Sequence, residues 1–206
     1  MLHNSENVIT AGVSIQEAEK VVIAIHGRGA SAQSILSLAQ YFDSSKLHWI
    51  APHATNNTWY PYSFLENRKK NEPWLSSALQ ILDEIIEKLR TEGIKDEQMV
   101  FLGFSQGACL ASEYAAQRAR LFGGLIAFSG GLIGPEVDAS QYNGDFKGMS
   151  VFMGCSDHDF HIPEKRVHDS AELLRSLGAN VEAIIYPNMG HTIIEDEIEK
   201  ALKILS

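Results

Sequence analysis

A serine, a histidine and a pair of aspartates, far apart along this chain, stand in settings where they could act together as nucleophile, base and orienting acid. Gly103-Phe104-Ser105-Gln106-Gly107 has the form G-x-S-x-G. A serine hydroxyl is a weak nucleophile at neutral pH; it needs a base within hydrogen-bond reach, and that base needs an orienting carboxylate. His191, in Pro187-Asn188-Met189-Gly190-His191-Thr192, sits on a Gly-flanked segment after an apolar run and is the candidate base. For a serine in this setting the acid falls between Ser and His in chain order. Gly154-Cys155-Ser156-Asp157-His158-Asp159 supplies Asp157 and Asp159, and spacing alone does not choose between them. The unused one should cap a turn or hydrogen-bond loop backbone. Of the eight histidines, His3 is assigned to a tail, His48 to a strand, His168 to a helix and His26 to a structural role beside a Gly-rich loop.

These groups act together only if the fold brings them to one place. Met99 to Leu102 is a continuous apolar run, read as a buried strand, and the small and helix-favouring residues after Gln106 read as a helix. Strand, tight turn and helix is the context of a nucleophile elbow, which projects the serine from the sheet at a helix N-terminus. The amide of Gln106 would then be one oxyanion donor, and the Arg28 backbone, in His26-Gly27-Arg28-Gly29, the other. The Arg28 side chain could meet an anionic substrate group or pair with a surface acid, the second being the favoured reading. Lys20–His26 reads as a strand covered on both faces, Ala32–Phe42 as a helix capped by Ser31, and Leu47–Ala51 as a strand ended by Pro52. Trp74–Arg90, Pro163–Leu177 and Thr192–Leu205 read as helices, Asn7–Val13, Met149–Met153 and Val181–Tyr186 as strands, and Leu121–Ser129 leads into another strand. The alternation predicts an α/β fold, a mainly parallel sheet with helices on both faces, in which ligands bind at the carboxyl ends of the strands. His53–Pro73 has no sustained period and is expected to be functional. Its Trp59, Tyr60, Tyr62 and Phe64 could form an aromatic flap over a substrate, with part of the set sealing a satellite core instead.

The chain has 206 residues, 45% of them hydrophobic and 21% charged, enough for one core, and residues 1–206 are read as one domain. A formal net charge of −9 and the lack of a Lys/Arg stripe argue against nucleic acid, and Arg68-Lys69-Lys70 reads as solvated loop. Gly27-Arg28-Gly29 lacks the further glycine and the lysine of nucleotide-binding loops. The N-terminal residues lack a signal-peptide pattern, no apolar run approaches a membrane span, and the two cysteines form no disulfide framework, so a cytoplasmic location is expected. Cys109 is read as a buried free thiol. Asp157, His158, Asp159, His161 and His168 match no standard zinc spacing, and no metal is expected.

Taken together, His26-Gly27-Arg28-Gly29, Gly103-Phe104-Ser105-Gln106-Gly107, the Asp loop and Gly190-His191 resemble the acyl-protein thioesterase, lysophospholipase and carboxylesterase family of small α/β-hydrolases, over nearly the whole length from Val21. The resemblance implies Ser105 as nucleophile, His191 as base, the Arg28 and Gln106 amides as oxyanion hole, and hydrolysis of carboxylic esters or thioesters through an acyl-enzyme with no metal or organic cofactor. The family's acid loop reads Gly-Asp-x-Asp-Pro-x-Val-Pro, with the second Asp in the triad. Laid over Ser156–Pro163 it puts the acid at Asp159, with Asp157 the alternative, because Ser156 replaces the Gly and Phe160 the first Pro. Many α/β-hydrolases carry a cap domain after the strand following the elbow helix; residues 130–148 are too short for one, which implies an open site. The expected substrate is a small-molecule or lipid-like ester. The same residues would serve a hydrolase of amide or C–C bonds, and a non-catalytic hydrolase-fold binding protein is the remaining class. Enzymes of this type can dimerise, but no segment identifies an interface.

Overall fold

The computed structural model describes residues 2–43 and 45–206. Among these, β1 (Val8–Gly12), β2 (Lys20–Ile25), β3 (Leu47–Pro52), β4 (Met99–Phe104), β5 (Gly124–Phe128), β6 (Ser150–Ser156) and β7 (Asn180–Tyr186) form one sheet in the order β1-β3-β2-β4-β5-β6-β7. Only the β1–β3 pairing is antiparallel. The helices α1 (Ala32–Leu36), α2 (Trp74–Thr91), α3 (Gln106–Gln117) and α4 (Glu164–Ser176) make the β2–β3, β3–β4, β4–β5 and β6–β7 connections, and α5 (Glu195–Leu205) follows β7.

The apolar runs of the central strands follow from burial on both faces. Side chains alternate along a strand, so Val21, Ile23 and Ile25 of β2 and Met99 and Phe101 of β4 join one core, with Leu75, Leu82, Ala108 and Leu174 of α2, α3 and α4. Val22, Ala24, Val100 and Leu102 face the other way, into a core shared with Ala32 and Ile35 of α1 and Ala201 and Ile204 of α5. Each fully buried Leu or Ile stabilises the fold by roughly 1.5–3 kcal/mol. A parallel sheet points every strand's carboxyl end to one edge, so the segments after β2, β4, β6 and β7 meet there.

The element boundaries differ from expectation in two places that matter. Residues 32–42 are α-helical only to Leu36 and continue as a 3₁₀ turn over Ser37–Tyr41. The last helix starts at Glu195, not Thr192, because Ile194 is extended and its amide is taken by the Glu197 carboxylate at 3.0 Å, which caps the helix. The three preceding residues therefore remain part of the loop that carries His191. Ser31 caps α1 as its type predicts, accepting from Ser34 N at 3.2 Å.

Between β5 and β6 the chain stays against the body, and no cap domain is present among the described residues. Two buried charges hold it there. Glu113 of α3 accepts from Ile133 N and Tyr142 Oη, each at 2.9 Å, and pairs with Arg68. Arg166 of α4 donates to the carbonyls of Leu132, Gly134 and Pro135 at 2.6–2.9 Å. Arg68 is thus an anchor for a buried carboxylate, not the solvated loop residue its Arg-Lys-Lys context suggests. Among the described residues no helix is long and apolar enough to cross a membrane.

Candidate active site

Ser105 sits between β4 and α3 with φ 55° and ψ −121°, a backbone conformation that costs a non-glycine residue about 1–3 kcal/mol. Its surroundings over-determine that conformation. Ser105 N donates to Phe128 O of β5 at 2.9 Å, and its carbonyl accepts from Cys109 N at 3.0 Å as α3 begins. The flanking glycines are forced by contact distance. A Cβ on Gly107 would lie 2.0 Å from Ile25 O, and one on Gly103 2.5 Å from the Gly107 carbonyl carbon. Only side-chain-free residues let α3 approach β2 and β4 closely enough to hold the hydroxyl at the sheet edge.

The structure brings Ser105, His191 and Asp159 into one hydrogen-bonded line. Ser105 Oγ is 2.8 Å from His191 Nε2, and His191 Nδ1 is 2.6 Å from Asp159 Oδ2. Asp159 Oδ1 accepts from the amides of His161 and Ile162 at 2.8 and 3.1 Å. With both amides donating, the carboxylate cannot rotate away from the imidazole. Burial disfavours its charged form, but the His191 hydrogen bond and the two amides outweigh that and hold its carboxyl below the ordinary carboxylate range. Cys155 Sγ, also buried, lies 3.8 Å from Asp159 Oδ2. Asp157 is elsewhere: its Oδ1 accepts from Asn188 N at 2.8 Å and faces His158 Nδ1 at 2.6 Å, the loop-fastening role expected of the unused aspartate.

The two departures from the family motif have structural readings. The Ser156 hydroxyl accepts from Gly190 N at 3.0 Å, tying the acid loop to the residue before His191. Phe160 is 98% exposed, so exchanging proline for it disturbs nothing that the Asp159 carboxylate touches.

Arg28 and Gln106 border the same cleft as Ser105, and neither amide donates to another group among the described residues. The Gln106 side chain has a separate task. Its Oε1 accepts from Trp59 N at 2.9 Å and its Nε2 donates to Tyr60 O at 2.8 Å, clamping residues 58–60 against the elbow. Among the described residues the Arg28 guanidinium pairs with no acid; it donates to the carbonyls of Pro61 and Tyr62 at 2.8 and 2.7 Å. This correction has a simple cause: the loop carbonyls lie within reach and the guanidinium fork satisfies two at once.

The cleft holds about 460 Å³ and is lined in part by Tyr60, Tyr62, Phe64, Phe104 and Ile162. Tyr60 and Phe64 are buried and serve both the core and the cleft wall, while Tyr62 is half exposed at the rim. Trp59 does not line the cleft, contrary to expectation. Its indole N–H is consumed by His26 O at 2.8 Å, and its ring packs against His26 and His3. A larger hollow of about 750 Å³, bordered by Lys165, Asp169 and Glu172, contains none of Ser105, His191 or Asp159.

Three further residues contribute through tertiary contacts. His3 is not in a free tail. It is buried, its Nε2 donates to Trp59 O at 2.9 Å and its Nδ1 accepts from Thr55 N at 3.2 Å, so it staples the N-terminal segment to the 55–59 turn. His161 packs edge-on against the His191 ring at 4.9 Å and borders the cleft. Glu113 holds Arg68, Ile133 and Tyr142 together beneath the segment after β5. A local pattern could flag only Glu113, as an acid in the apolar register of α3.

Comparison with known proteins shows the family. The model of the phospholipase/carboxylesterase family matches residues 5–206. Acyl-protein thioesterase 1 of Saccharomyces cerevisiae is 26% identical over 219 residues, covering 94% of each chain, and acyl-protein thioesterase 1 homolog 1 of Dictyostelium discoideum is 28% identical, covering 90% of this chain and 88% of the relative. The crystal structure of a phospholipase/carboxylesterase from Dyadobacter fermentans superposes with a TM-score of 0.96 at 43% identity, covering 100% of this chain and 99% of that one. The Bacillus cereus carboxylesterase, 19% identical with a TM-score of 0.76, shares the fold. With its α/β-hydrolase sheet and a family match over almost its entire length, the chain belongs to the phospholipase/carboxylesterase family of hydrolases.

Proposed function

We propose that this protein cleaves carboxylic esters or thioesters through an acyl-enzyme formed on Ser105. The observation that carries this is the line from Ser105 Oγ through the His191 ring to Asp159 Oδ2, with contacts of 2.8 and 2.6 Å. Asp159 accepts from Nδ1–H, which fixes the tautomer and leaves the Nε2 lone pair facing the serine hydroxyl. Nε2 takes the Ser105 proton as Oγ attacks the acyl carbon, and the Arg28 and Gln106 amides donate to the oxyanion. The protonated imidazole then gives its proton to the departing alkoxide or thiolate. Water, deprotonated by the same nitrogen, releases the acid and restores Ser105.

The cleft supports a hydrophobic acyl or aryl group against Tyr60 and Phe64, with the leaving group near Tyr62 and His161 at the open side. The names of the thioesterase relatives add thioesters to the substrate range worth testing. The deciding experiment is a chain-length series of p-nitrophenyl esters run beside a lysophospholipid and an acyl-thioester, on the wild type and Ser105→Ala. Turnover of at least one class by the wild type, lost in the variant with its thermal melt unchanged, is the expected outcome. Equal turnover by both proteins would remove the proposal.

A further inference from the structure

We infer that His26 is a positioning residue for the oxyanion-binding peptide. The inference rests on the proposed role of the Arg28 amide as an oxyanion donor. The carbonyl of Gly27 and the N–H of Arg28 belong to one planar trans peptide unit and point in opposite directions. Whatever holds the carbonyl therefore aims the N–H. His26 Nδ1 is 2.8 Å from Gly27 O, and the His26 ring does not line the cleft that Gly27, Arg28 and Ser105 border.

The ring is built to donate from Nδ1. Ala54 N donates to His26 Nε2 at 3.1 Å, so Nε2 is the acceptor and the proton sits on Nδ1. The imidazole is fully buried, packed on Trp59 at 5.0 Å and on His53 at 5.3 Å. The next carbonyl back is also pinned, since Trp59 Nε1 donates to His26 O at 2.8 Å. Ala30 N, at 3.2 Å, is the only other group among the described residues that donates to Gly27 O. The clamp extends to the second proposed donor, because the Gln106 side chain holds Trp59 N and Tyr60 O. Both oxyanion amides are thus braced against one buried cluster, and Gly27 is so close to the elbow that a Cβ there would lie 3.4 Å from Ser105 Cβ. An imidazole that served packing alone would need neither the Nδ1 donor nor a fixed tautomer.

Two substitutions separate the functions of the ring nitrogens. In His26→Asn the amide N–H₂ stands near the place of Nδ1 and can donate to Gly27 O, whereas His26→Gln reaches toward Ala54 N and leaves Gly27 O without its side-chain donor. The assay is kcat and KM on the best p-nitrophenyl ester, with binding of an aryl boronic acid as a mimic of the tetrahedral adduct and a thermal melt for each variant. We expect His26→Gln to lower kcat about 10- to 100-fold, less than the 10²–10³ for outright loss of a donor. KM should change little, boronate affinity should fall by a similar factor to kcat, and His26→Asn should recover most of the rate. A folded His26→Gln with wild-type kcat overturns the inference. If His26→Gln does not fold, His26→Asn decides: near-wild-type kcat supports the clamp, and a loss as deep as for an oxyanion donor overturns it. Wild-type protein that neither hydrolyses esters nor binds the boronate would instead strike at the proposed function.

Discussion

Asp159→Asn should be more damaging than the exchange of one atom suggests. Asp159 Oδ1 accepts from two backbone amides at 2.8 and 3.1 Å. An asparagine there must keep its carbonyl oxygen on those donors, so its N–H₂ is forced to the position of Oδ2, 2.6 Å from His191 Nδ1. Facing a donor, Nδ1 must become the acceptor, and the ring proton moves to Nε2, toward Ser105 Oγ. The base then carries a proton where it needs a lone pair. In serine triads this wrong tautomer costs about 10⁴ in kcat, or about 5 kcal/mol of transition-state stabilisation. Asp159→Ala leaves the ring free to choose its tautomer and should be no worse. Asp157→Asn loses only fastening contacts to Asn188 and His158 and should keep activity within about threefold. Because the Asp159 carboxyl lies below the ordinary range, the stability tied to its charge is present above about pH 4 and lost only as pH falls further, so assays at pH 7–8 compare chemistry and not folding. Single-turnover release of p-nitrophenol, with circular dichroism on each variant, gives the numbers. A folded Asp159→Asn with more than a tenth of wild-type kcat, or an Asp157→Asn that proves the worse of the two, would refute this reasoning.

Four other perturbations have calculable signs. Gly107→Ala puts a methyl 2.0 Å from Ile25 O, so α3 must shift by more than an ångström; we expect destabilisation above about 3 kcal/mol in urea titration together with loss of ester hydrolysis. Glu197 is buried with one unpartnered oxygen, and burial pushes its carboxyl up to about 7 from an ordinary 4.5, so its favourable protonated state is fully present below pH 4.5 and lost as pH rises through 7. Glu197→Gln should therefore gain about 1–3 kcal/mol over wild type between pH 5 and pH 9, and parallel melting curves across that range would contradict it. Phe64→Leu enlarges the cleft wall and should raise KM for octanoate esters several-fold with little change for acetate, whereas Trp59→Phe, which removes the donor to His26 O, should lower kcat for both alike.

The sheet was largely legible because its strands are buried on both faces and read as uninterrupted apolar runs. Ser105 and His191 stood out because each sits beside glycines immediately after such a run. The choice between Asp157 and Asp159 was not legible from spacing. It depends on how a tight loop folds its backbone amides onto Oδ1, which no residue pattern encodes. The 53–73 segment was harder still. Trp59 and Tyr62 are both aromatic residues in an aperiodic stretch, yet one is locked in by His3, His26 and Gln106 and the other is exposed. Those partners lie 33 to 56 positions away, so only the fold reveals them. His3 read as a tail because its contacts, with residues 55, 59 and 77, are all tertiary.

In the proposed reaction an acyl group passes through Ser105 Oγ at every turnover. Rapid quenching of the enzyme with excess p-nitrophenyl ester, followed by intact-protein and peptide mass spectrometry, reads this directly. We predict one acyl group per chain, carried on the peptide containing Ser105, with no adduct in Ser105→Ala and far slower formation in His191→Ala. Steady hydrolysis with an adduct on another residue, or turnover that persists in Ser105→Ala, would contradict it.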